Sequence, residues 1–496
     1  MEYNQQEKIL KFLKGKNLIV VSNRGPVEFK RINDEIKMKR GAGGLVSTLM
    51  PLVEALNGVW VASAMTLEDA EVARRYPKHR VLIPEEDPKF KISFVVTDRD
   101  RYEDYYSVIS NPLLWFIQHY MWNSPYTPDI DDHVHEAWKE GYIYLNQEFA
   151  DKVIEEAKIN KKEPLIMLQD YHLYLCPAYI REKMDDVFLT QFIHIPWPQA
   201  DYFNILPDYM KKSIIDGLLS NNILGFHIPR YVDNFLHTCS AYVEEVDFEE
   251  SIIYHKDHHT HVKSYPISVD YNSIKRMEHD SDVKKKEELI KRIKGDKFLF
   301  YRTDRADLSK NIIRGFKAYD LFLEKHPEYK TKVVFLATGK PTRQYIKNYI
   351  EYSEAVEEII KHINSKHGKD GWKPIEYIFK ADYNLVVAAF KNYDCLIVNP
   401  IADGMNIVPK EASVVNQTQG VVILSETAGS FEDLKEHIIG INPFDITQTA
   451  RAYHDALEMS LDKRYEKWKA LRELASKRTI YDWISEQFED MEKIKK

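Results

Sequence analysis

The stretch Val398–Glu411, VNPIADGMNIVPKE, decides the fold class of this chain. It begins in an apolar strand, breaks at Asp403-Gly404-Met405-Asn406 and continues into a helix. A strand, a tight turn and a helix in that order form the repeating unit of an α/β fold. The turn and the helix N-terminus also present several backbone N–H groups to one point, which suits a sugar hydroxyl or a diphosphate. Glu411, about two helical turns beyond Asp403, could reach ribose hydroxyls; an ordinary strand–turn–helix without a ligand is the alternative.

The same pattern extends outward in both directions, because apolar β-branched runs alternate with longer amphipathic stretches. In the first half the predicted strands are Asn17–Asn23, Pro164–Gln169, Phe188–Ile195, Ile223–His227 and Ser264–Ser268. In the second half they are Lys297–Arg302, Lys332–Ala337, Ile375–Phe379, Cys395–Asn399 and Gly420–Leu424. We therefore predict two doubly wound α/β domains that bind ligands at the carboxyl ends of their strands.

A charged stretch, RMEHDSDVKKKEELIKRIKGDK, separates the two halves. We predict an N-terminal Rossmann-like domain over residues 1–272 and a second one over residues 273–465. The spacing of apolar residues in the tail, residues 466–496, predicts helices, and the tail carries Trp468 and Trp483. We expect these C-terminal helices to pack back on the N-terminal domain.

Length and charge limit the class of protein. A chain of 496 residues is too long for one core. Its 69 basic and 77 acidic residues are well mixed and give a net charge of −8, which argues against a nucleic-acid partner. No apolar run is long enough for a membrane span, and the N-terminus lacks an export signal. Three cysteines without a C-x-x-C spacing favour a reducing, cytoplasmic location; the oligomeric state, including a homo-oligomer, stays open.

Polar residues follow the strands of the first half at their carboxyl ends. Arg24 follows the first predicted strand, and Gly41-Ala42-Gly43-Gly44 then opens an apolar helix where a diphosphate could approach the backbone closely. Asp170 follows the predicted strand Pro164–Gln169, and His194 lies at the end of the predicted strand Phe188–Ile195. Alternatively, the glycines form only a flexible turn and His194 has a structural role.

Three cations follow strands of the second half. Arg305 and Lys310 share one loop, and Arg343 follows the next strand. Such a pair on one loop suits a pyrophosphate leaving group, whereas a solvated loop before a helix is the alternative. Because Arg24 also lies at a strand end, four cations are predicted at the edge where ligands bind.

No metal site is predicted. The histidine-rich stretch His255–His261, HKDHHTH, has no carboxylate at a useful spacing, and we interpret it as a solvated, hairpin-like loop. Walker and G-x-S-x-G patterns are missing from the sequence. The G-x-G-x-x-G pattern is missing too, which argues against a nicotinamide dehydrogenase.

Taken together, these motifs resemble the trehalose-6-phosphate synthase family of retaining glycosyltransferases, glycosyltransferase family 20. The resemblance extends over about residues 18–445 and rests on VVSNR, AGGL, YYSVISNPLLW, QDYHL, HIPWP, the Arg305/Lys310 loop, PTR and DGMNIVPKE. It implies a GT-B fold, in which two Rossmann-like domains face a central cleft and a C-terminal helix crosses back. It also implies transfer of glucose from a nucleotide sugar (UDP- or GDP-glucose) to glucose 6-phosphate with retained configuration, giving α,α-trehalose 6-phosphate, without a metal ion or other cofactor.

The resemblance assigns donor-binding roles mainly to the second half. Arg305 and Lys310 would hold the diphosphate, with a backbone contact from Gly44. The hydroxyls of the sugar would be bound by Asp403 and the amides of Gly404, Met405 and Asn406. Glu411 would bind the ribose.

The remaining implied roles concern the two sugars and the acceptor phosphate. His194 would contact the donor sugar and Asp170 the acceptor sugar. With Arg305 and Lys310 they form the expected catalytic set. The acceptor phosphate would be bound by Arg24, Tyr106, Trp115 and Arg343.

Four positions depart from the family pattern. Ala62-Ser63 lies where a second tryptophan is usual, Gln169 replaces a histidine, and Ala402 replaces an arginine. Asn311 replaces a glycine, but asparagine tolerates positive φ, so the backbone path can be kept. The alternatives are therefore a related transferase with another phosphorylated acceptor, of the glucosylglycerol-phosphate or validoxylamine-phosphate synthase type, or a non-catalytic sugar-phosphate sensor. The sequence does not decide the base of the donor.

Overall fold

The chain folds into two compact α/β units. A computed structural model describes residues 9–41 and 44–495. The first unit comprises Met1–Pro266 together with Tyr481–Lys496, and the second comprises Ile267–Ile480. In the described part of the chain, the first unit contains a ten-stranded sheet and a two-stranded hairpin, and the second contains a six-stranded sheet.

The strands are numbered in chain order. Those of the first unit are β1 Lys16–Val21, β2 Val27–Ile32, β3 Glu35–Arg40, β4 Val59–Ser63, β5 Arg80–Ile83, β6 Phe90–Val95, β7 Glu163–Gln169, β8 Phe188–Phe192, β9 Ile223–Phe226, β10 Glu245–Asp247, β11 Ile252–His255 and β12 His258–Ser264. Those of the second unit are β13 Phe298–Arg305, β14 Val333–Lys340, β15 Ile375–Phe379, β16 Cys395–Val398, β17 Val421–Ser425 and β18 Ile439–Ile441.

The large sheet of the first unit is doubly wound. Its order is β10-β11-β12-β9-β8-β7-β1-β4-β6-β5, and every pair from β12 to β6 is parallel. The strand order reverses at β1, which pairs with β4 on one side and with β7 on the other. In open parallel sheets a ligand crevice lies at such a reversal, so the residues after β1 and β7 are placed at a binding position.

The sheet of the second unit is entirely parallel, in the order β15-β14-β13-β16-β17-β18. Both faces are buried. Leu299 and Tyr301 of β13 pack into one apolar cluster, whereas Phe300 between them packs into the other. The strand order reverses between β13 and β16, so the loops after these two strands lie side by side at the expected ligand position.

Helices cover both sheets. The α-helices of the first unit are Gly44–Ala55, Leu67–Arg74, Arg99–Glu103, Trp115–Gln118, Asp132–Glu136, Tyr144–Ile159, Cys176–Lys183, Ala200–Phe203, Asp208–Leu218 and Pro229–Cys239, with π-helices at Asp104–Leu114 and Ala137–Ile143. Those of the second unit are Tyr271–Met277, Ser281–Lys294, Ile312–Lys325, Lys347–His367, Tyr383–Asn392, Val408–Val415, Phe431–Leu434, Ile446–Glu458 and Leu461–Lys477. The last helix is Ile480–Ile494.

Short 3₁₀ turns complete the secondary structure. They lie at Pro77–His79, Tyr171–Leu173, Leu308–Lys310, Pro327–Tyr329 and Lys435–His437. Two of them follow strands at the ligand-binding edges: Tyr171–Leu173 comes after β7 and Leu308–Lys310 after β13.

The predicted strand Ser264–Ser268 is wrong. The strand is His258–Ser264, so the histidine-rich stretch forms a β-hairpin with β11 instead of a loop. Thr260 and Val262 are fully buried, whereas His259 before them is exposed and His261 between them is partly exposed. Burial alternates along this segment as it does in a half-buried strand. The strand was not predicted because its residues are mainly histidine and threonine, not larger apolar residues.

The unit boundary and the C-terminal packing differ in detail from the sequence prediction. The prediction divided the chain after residue 272 and after residue 465, whereas the units divide after Pro266 and after Ile480. Helix Leu461–Lys477 stays with the second unit because Leu471 and Ala475 are buried in its core. In the following helix, Trp483 packs edge-on against Phe192 of the first unit, at a ring distance of 5.0 Å.

Across residues 9–41 and 44–495, no helix is both long and apolar enough to span a bilayer.

Candidate active site

Strand β13 ends in a loop that carries two predicted cations. Arg305 is the last residue of the strand, and Lys310 ends the 3₁₀ turn that follows. The fully buried carboxylate of Asp307 fixes this turn by accepting hydrogen bonds from the backbone N–H and the hydroxyl of Ser309, at 3.0 and 2.9 Å. The position of Lys310 is therefore set by the backbone and does not depend on a flexible loop.

Lys310 forms an ion pair with Asp403, the residue that follows β16 in the DGMN turn. Only 16% of the Lys310 side chain and 15% of the Asp403 side chain are exposed, so the pair is largely removed from water. Asn406 Nδ2 donates a second hydrogen bond to the same carboxylate oxygen, at 3.0 Å. Three residues predicted to bind one donor molecule thus lie in contact, because β13 and β16 are neighbours in the sheet.

A buried arginine supports this loop from inside the sheet. Arg302 is 1% exposed, and its guanidinium donates to the carboxylate of Asp304 at 2.7 Å and to the carbonyl of Lys310 at 3.1 Å. Burial raises the pKa of Asp304, while the positive charges of Arg302 and Lys310 oppose that rise. Sequence reasoning missed Arg302; the signal available was a charged residue inside an otherwise apolar strand, FLFYRTDR.

Asn311 keeps the backbone path predicted for it. Its φ and ψ angles are 55° and 37°, in the left-handed region. Its side chain donates to the carbonyl of Pro443 at 2.8 Å and accepts from Arg314 at 2.9 Å. The prediction that asparagine tolerates positive φ here is confirmed, and the side chain adds two bonds that glycine could not make.

Arg343, expected to bind an acceptor phosphate, lies against the Lys310 loop. Its side chain is 7% exposed and forms an ion pair with Asp307 at 3.3 Å. It also donates to the hydroxyl of Tyr349. Its φ of 46° is unusual for an arginine, a strain that is common at functional sites.

Glu411 lies in the first turn of helix Val408–Val415 and is half-buried. Burial raises the pKa of its carboxyl to about 7, and the hydroxyl of Tyr383, which donates to Glu411 at 3.3 Å, partly offsets that rise. The preceding Lys410 is buried and paired with Asp433 at 2.8 Å. Lys410 is therefore structural, whereas Glu411 is placed to accept hydrogen bonds from a ligand.

In the first unit, Asp170 follows β7 with a strained backbone. Its φ of 73° and ψ of 176° lie in a region occupied almost only by glycine. Its N–H donates to the carbonyl of Phe192 at 2.7 Å, and its carboxylate accepts from the N–H of His194 at 3.2 Å. These hydrogen bonds between the ends of β7 and β8 maintain the strained backbone conformation of Asp170 and fix the position of its carboxylate.

His194 is held by Gln169, one of the residues that depart from the family pattern. The Nε2 atom of His194 lies 3.0 Å from Oε1 of Gln169, which is 1% exposed. Burial, with a smaller contribution from His227, lowers the pKa of His194 well below its usual value. The ring is therefore neutral at physiological pH and can exchange neutral hydrogen bonds with a hydroxyl.

The residues after β1 occupy the other side of the strand-order reversal. Arg24 is 69% exposed on its side chain and lies 3.4 Å from Glu28. The preceding Asn23 accepts a 3.0 Å hydrogen bond from the hydroxyl of Ser63, at the end of β4. Ser63 is 3% exposed, so the position where the family usually has tryptophan is occupied here by a small side chain bonded inward.

The two predicted aromatic residues lie on a distorted helical segment. Tyr106, within the π-helix Asp104–Leu114, is stacked between Tyr102 and His172, at ring distances of 5.6 and 5.7 Å. Trp115 is 6% exposed and stacks on His119 at 4.0 Å. π-Helical turns are frequent at functional sites.

The glycine-rich turn is described only in part. Gly44 is the first residue of helix Gly44–Ala55, whereas Ala42 and Gly43 lie outside the described residues.

The histidine-rich hairpin contacts carboxylates but does not form a metal cluster. His255 lies 2.7 Å from Asp216 and 3.0 Å from Glu244, through opposite ring nitrogens. In the part of the chain that is described, no group of three or more histidine, cysteine, aspartate or glutamate side chains could hold a metal ion. Lys256 of the same hairpin forms an ion pair with Asp216 at 3.0 Å, so Asp216 joins the hairpin to helix Asp208–Leu218.

Each unit thus carries part of the predicted site at its own strand-order reversal. The second unit brings together Lys310, Asp403 and Asn406, with Arg305 and Arg343 on the same edge of its sheet. The first unit brings together Asp170 and His194, and places Arg24 just after the neighbouring strand β1. The cations of the second unit suit a diphosphate, and the neutral and acidic groups of the first suit sugar hydroxyls.

Comparison with known proteins identifies the family. The family model for Glycosyltransferase family 20 matches residues 16–493. An alpha,alpha-trehalose-phosphate synthase [UDP-forming] A from Dictyostelium discoideum is 31% identical over 476 residues, which cover 94% of this chain but only 61% of that protein. An alpha,alpha-trehalose-phosphate synthase [UDP-forming] from Yarrowia lipolytica is 30% identical and is covered over 97% of its length.

The fold agrees with a solved structure of the same kind. The E. coli trehalose-6-phosphate protein bound with UDP-2-fluoro glucose superposes with a TM-score of 0.83 at 25% identity, over 97% of this chain and 99% of that one. The architecture is GT-B, as the sequence predicted. The extent of these matches shows that the chain belongs to glycosyltransferase family 20.

Proposed function

We propose that this chain transfers glucose from a nucleotide sugar, UDP- or GDP-glucose, to glucose 6-phosphate with retention, giving α,α-trehalose 6-phosphate. The observation that carries the proposal is the contact of Lys310, Asp403 and Asn406 at the strand-order reversal of the second unit. The names of the Dictyostelium and Yarrowia relatives and the UDP-2-fluoro glucose bound to the E. coli protein support it, with UDP as the favoured nucleotide.

Donor binding begins with an exchange of ion-pair partners. Without donor, Lys310 is neutralised by Asp403. A diphosphate carries more negative charge than one carboxylate, so it displaces Asp403 as the counterion of Lys310. Arg305 on the same loop binds the diphosphate as well, while the turn fixed by Asp307 holds both cations in place. Such preorganised cations stabilise the charge that develops on the leaving group.

The displaced carboxylate then binds the glucose of the donor. Asp403, released from Lys310, accepts hydrogen bonds from glucose hydroxyls, and the amides of Gly404, Met405 and Asn406 donate to them. Glu411 accepts from the ribose hydroxyls in place of Tyr383. The intact nucleotide sugar thus fills both the phosphate and the sugar positions. A nucleotide without its sugar would displace Asp403 from Lys310 but give this carboxylate no hydroxyls to bind, so it should bind less well.

The first unit supplies the acceptor side. Asp170 accepts from an acceptor hydroxyl, and neutral His194 contacts the donor sugar. Arg24, Tyr106 and Trp115 are the residues of this unit proposed to bind the acceptor phosphate. Arg343 is proposed as a further phosphate ligand, and to bind a phosphate it must exchange Asp307 for it.

The transfer replaces one bond to the anomeric carbon by another. The bond from C1 of glucose to the diphosphate oxygen breaks with its electron pair, and an acceptor oxygen forms a new bond to C1 on the same face. The acceptor proton passes to the departing phosphate oxygen, so a second carboxylate of the glycosidase type is not needed. We propose that arginine and lysine stabilise the leaving group without a metal ion, so the rate should be the same with EDTA.

A product assay tests the proposal. The protein is incubated with UDP- or GDP-glucose and, in separate reactions, with glucose 6-phosphate or glycerol 3-phosphate, and products are separated by mass. A disaccharide phosphate from glucose 6-phosphate supports the proposal. Turnover with glycerol 3-phosphate alone would instead favour a related transferase, consistent with the small Ser63 side chain. Ligand binding without turnover of any pair would favour a sensor.

The cellular location belongs to the same proposal. Cys176, Cys239 and Cys395 are buried free thiols, which suits the reducing cytoplasm.

A further inference from the structure

A second concave site lies between two helices of the second unit. Its volume is about 270 Å³, and its walls come from the end of helix Ile312–Lys325 and one face of helix Ile446–Glu458. The floor is apolar, formed by Phe322 and Ala450, which are 0% and 3% exposed. A space of this size holds a molecule smaller than a nucleotide sugar.

Basic side chains surround this floor. Lys325 and His326 come from the first helix and the residue after it, and Arg451 and His454 come from the second helix. Acidic side chains do not contribute to the described lining. Within residues 9–41 and 44–495, neither Lys325 nor Arg451 forms an ion pair, although the chain has more acidic than basic residues.

The two histidines are stacked at the edge of the cavity. The rings of His326 and His454 lie 4.1 Å apart and 22° from parallel. Their Nδ1 atoms face carboxylates outside the lining, Glu328 at 3.3 Å and Asp455 at 4.0 Å. Both carboxylates lie on the Nδ1 side of their rings, so neither of them contacts the opposite nitrogen, Nε2.

This cavity is separate from the donor position. Helix Ile312–Lys325 begins next to Lys310 and ends at the cavity, and its 14 residues correspond to about 20 Å of helix. A ligand in the cavity would therefore not contact the donor diphosphate.

We propose that this cavity binds a small phosphomonoester at a site distinct from that of the transfer reaction. Arg451 and Lys325 pair with the phosphate oxygens, the two imidazole rings lie beside the bound group, and the apolar floor contacts the carbon skeleton of the ligand. The inference does not depend on the proposed transferase activity, because none of the residues involved belongs to the donor or acceptor set.

The test uses the full chain labelled with ¹³C at the histidine Cε1 positions. Resonances of His326 and His454 are identified with H326N and H454N, and the protein is titrated with inorganic phosphate and with ribose 5-phosphate at constant pH and ionic strength. Both resonances should shift and saturate, with tighter binding of ribose 5-phosphate because of the apolar floor. The loss of one charge-assisted hydrogen bond is enough to raise a dissociation constant about tenfold. R451A and K325A should therefore each weaken binding about tenfold.

Lys317 provides the matched control, since it is exposed on the same helix but does not line the cavity. The variant K317A should bind as the unmodified protein does. The proposal is overturned if the two resonances do not move, if sodium chloride or ribose shifts them equally, or if R451A and K325A bind phosphate as tightly as K317A.

Discussion

Replacing Glu411 by glutamine should stabilise the fold and weaken donor binding. Burial raises the pKa of this carboxyl from 4.5 to about 7. Each unit of difference between the folded and unfolded pKa corresponds to about 1.4 kcal/mol, so the ionised carboxylate destabilises the fold by about 3 kcal/mol. Glutamine removes this cost and can still accept the hydrogen bond of Tyr383.

The sign of the pH dependence follows from the raised pKa. Between pH 4.5 and pH 7 the folded state binds more protons at Glu411 than the unfolded chain does, so this residue lowers stability as pH rises through that window. Below pH 4.5 the residue is protonated in both states and contributes nothing. The E411Q variant should therefore match the unmodified protein near pH 4.5 and exceed it by about 3 kcal/mol at pH 8.

Donor affinity should change in the opposite direction. Only the ionised carboxylate accepts from both ribose hydroxyls, so the dissociation constant of UDP-glucose should rise about tenfold between pH 8 and pH 6. The E411Q variant should lose this pH dependence and bind about tenfold more weakly at pH 8.

Urea denaturation at pH 5 and pH 8 measures the stability difference, and isothermal titration calorimetry measures UDP-glucose binding. The control is E358Q, which changes an exposed glutamate of the same unit. A stability gain that does not depend on pH, or a variant that is less stable at pH 8, would refute the assignment of the raised pKa to Glu411. Unchanged donor affinity would refute its contact with the ribose.

Substitutions at three further positions follow from the contacts at the strand ends. Asp403→Asn removes the counterion of Lys310, so UDP should bind about tenfold more tightly in calorimetry while transfer falls at least about 100-fold; weaker UDP binding would contradict the ion-pair exchange. Asp170→Gly relieves a strained backbone and should raise the free energy of unfolding by about 1 kcal/mol with loss of transfer; a less stable variant would show that the strain is absent. Asn311→Ala should cost about 2–3 kcal/mol in urea denaturation, from positive φ and the lost bond to Pro443, whereas Asn311→Gly should cost less; equal losses would contradict the backbone contribution.

Strands with long apolar runs were predictable from the sequence. Ile375–Phe379 matches its predicted bounds, and the strand before the DGMN turn ends one residue early, at Val398. The run Cys395–Val398 is buried on both faces of a parallel sheet, so hydrophobicity alone marks it, whereas Ile375–Phe379 is a partly buried edge strand. The strand Val59–Ser63 was not predicted, because a short apolar run does not differ by periodicity from a buried helix segment.

The donor side of the site was also predictable, since strand ends and turn residues determine where Lys310 and Asp403 lie. The ion pair between them, 93 residues apart in sequence, was not, because it depends on which two strands are neighbours. Arg302 was missed for the same reason, since its guanidinium also donates to Asn399, which follows another strand, at 3.2 Å. The strain at Asp170 depends on bonds to β8 and cannot be derived from local sequence.

The stereochemical outcome of the reaction tests the central claim most directly. Proton NMR of the protein with UDP-glucose and glucose 6-phosphate should show the anomeric signals of an α,α-linked disaccharide phosphate appearing as UDP forms. With Lys310→Ala the rate should fall at least about 100-fold, because the leaving group loses a preorganised cation. A β-linked product, no disaccharide phosphate, or an undiminished rate in that variant would contradict the account.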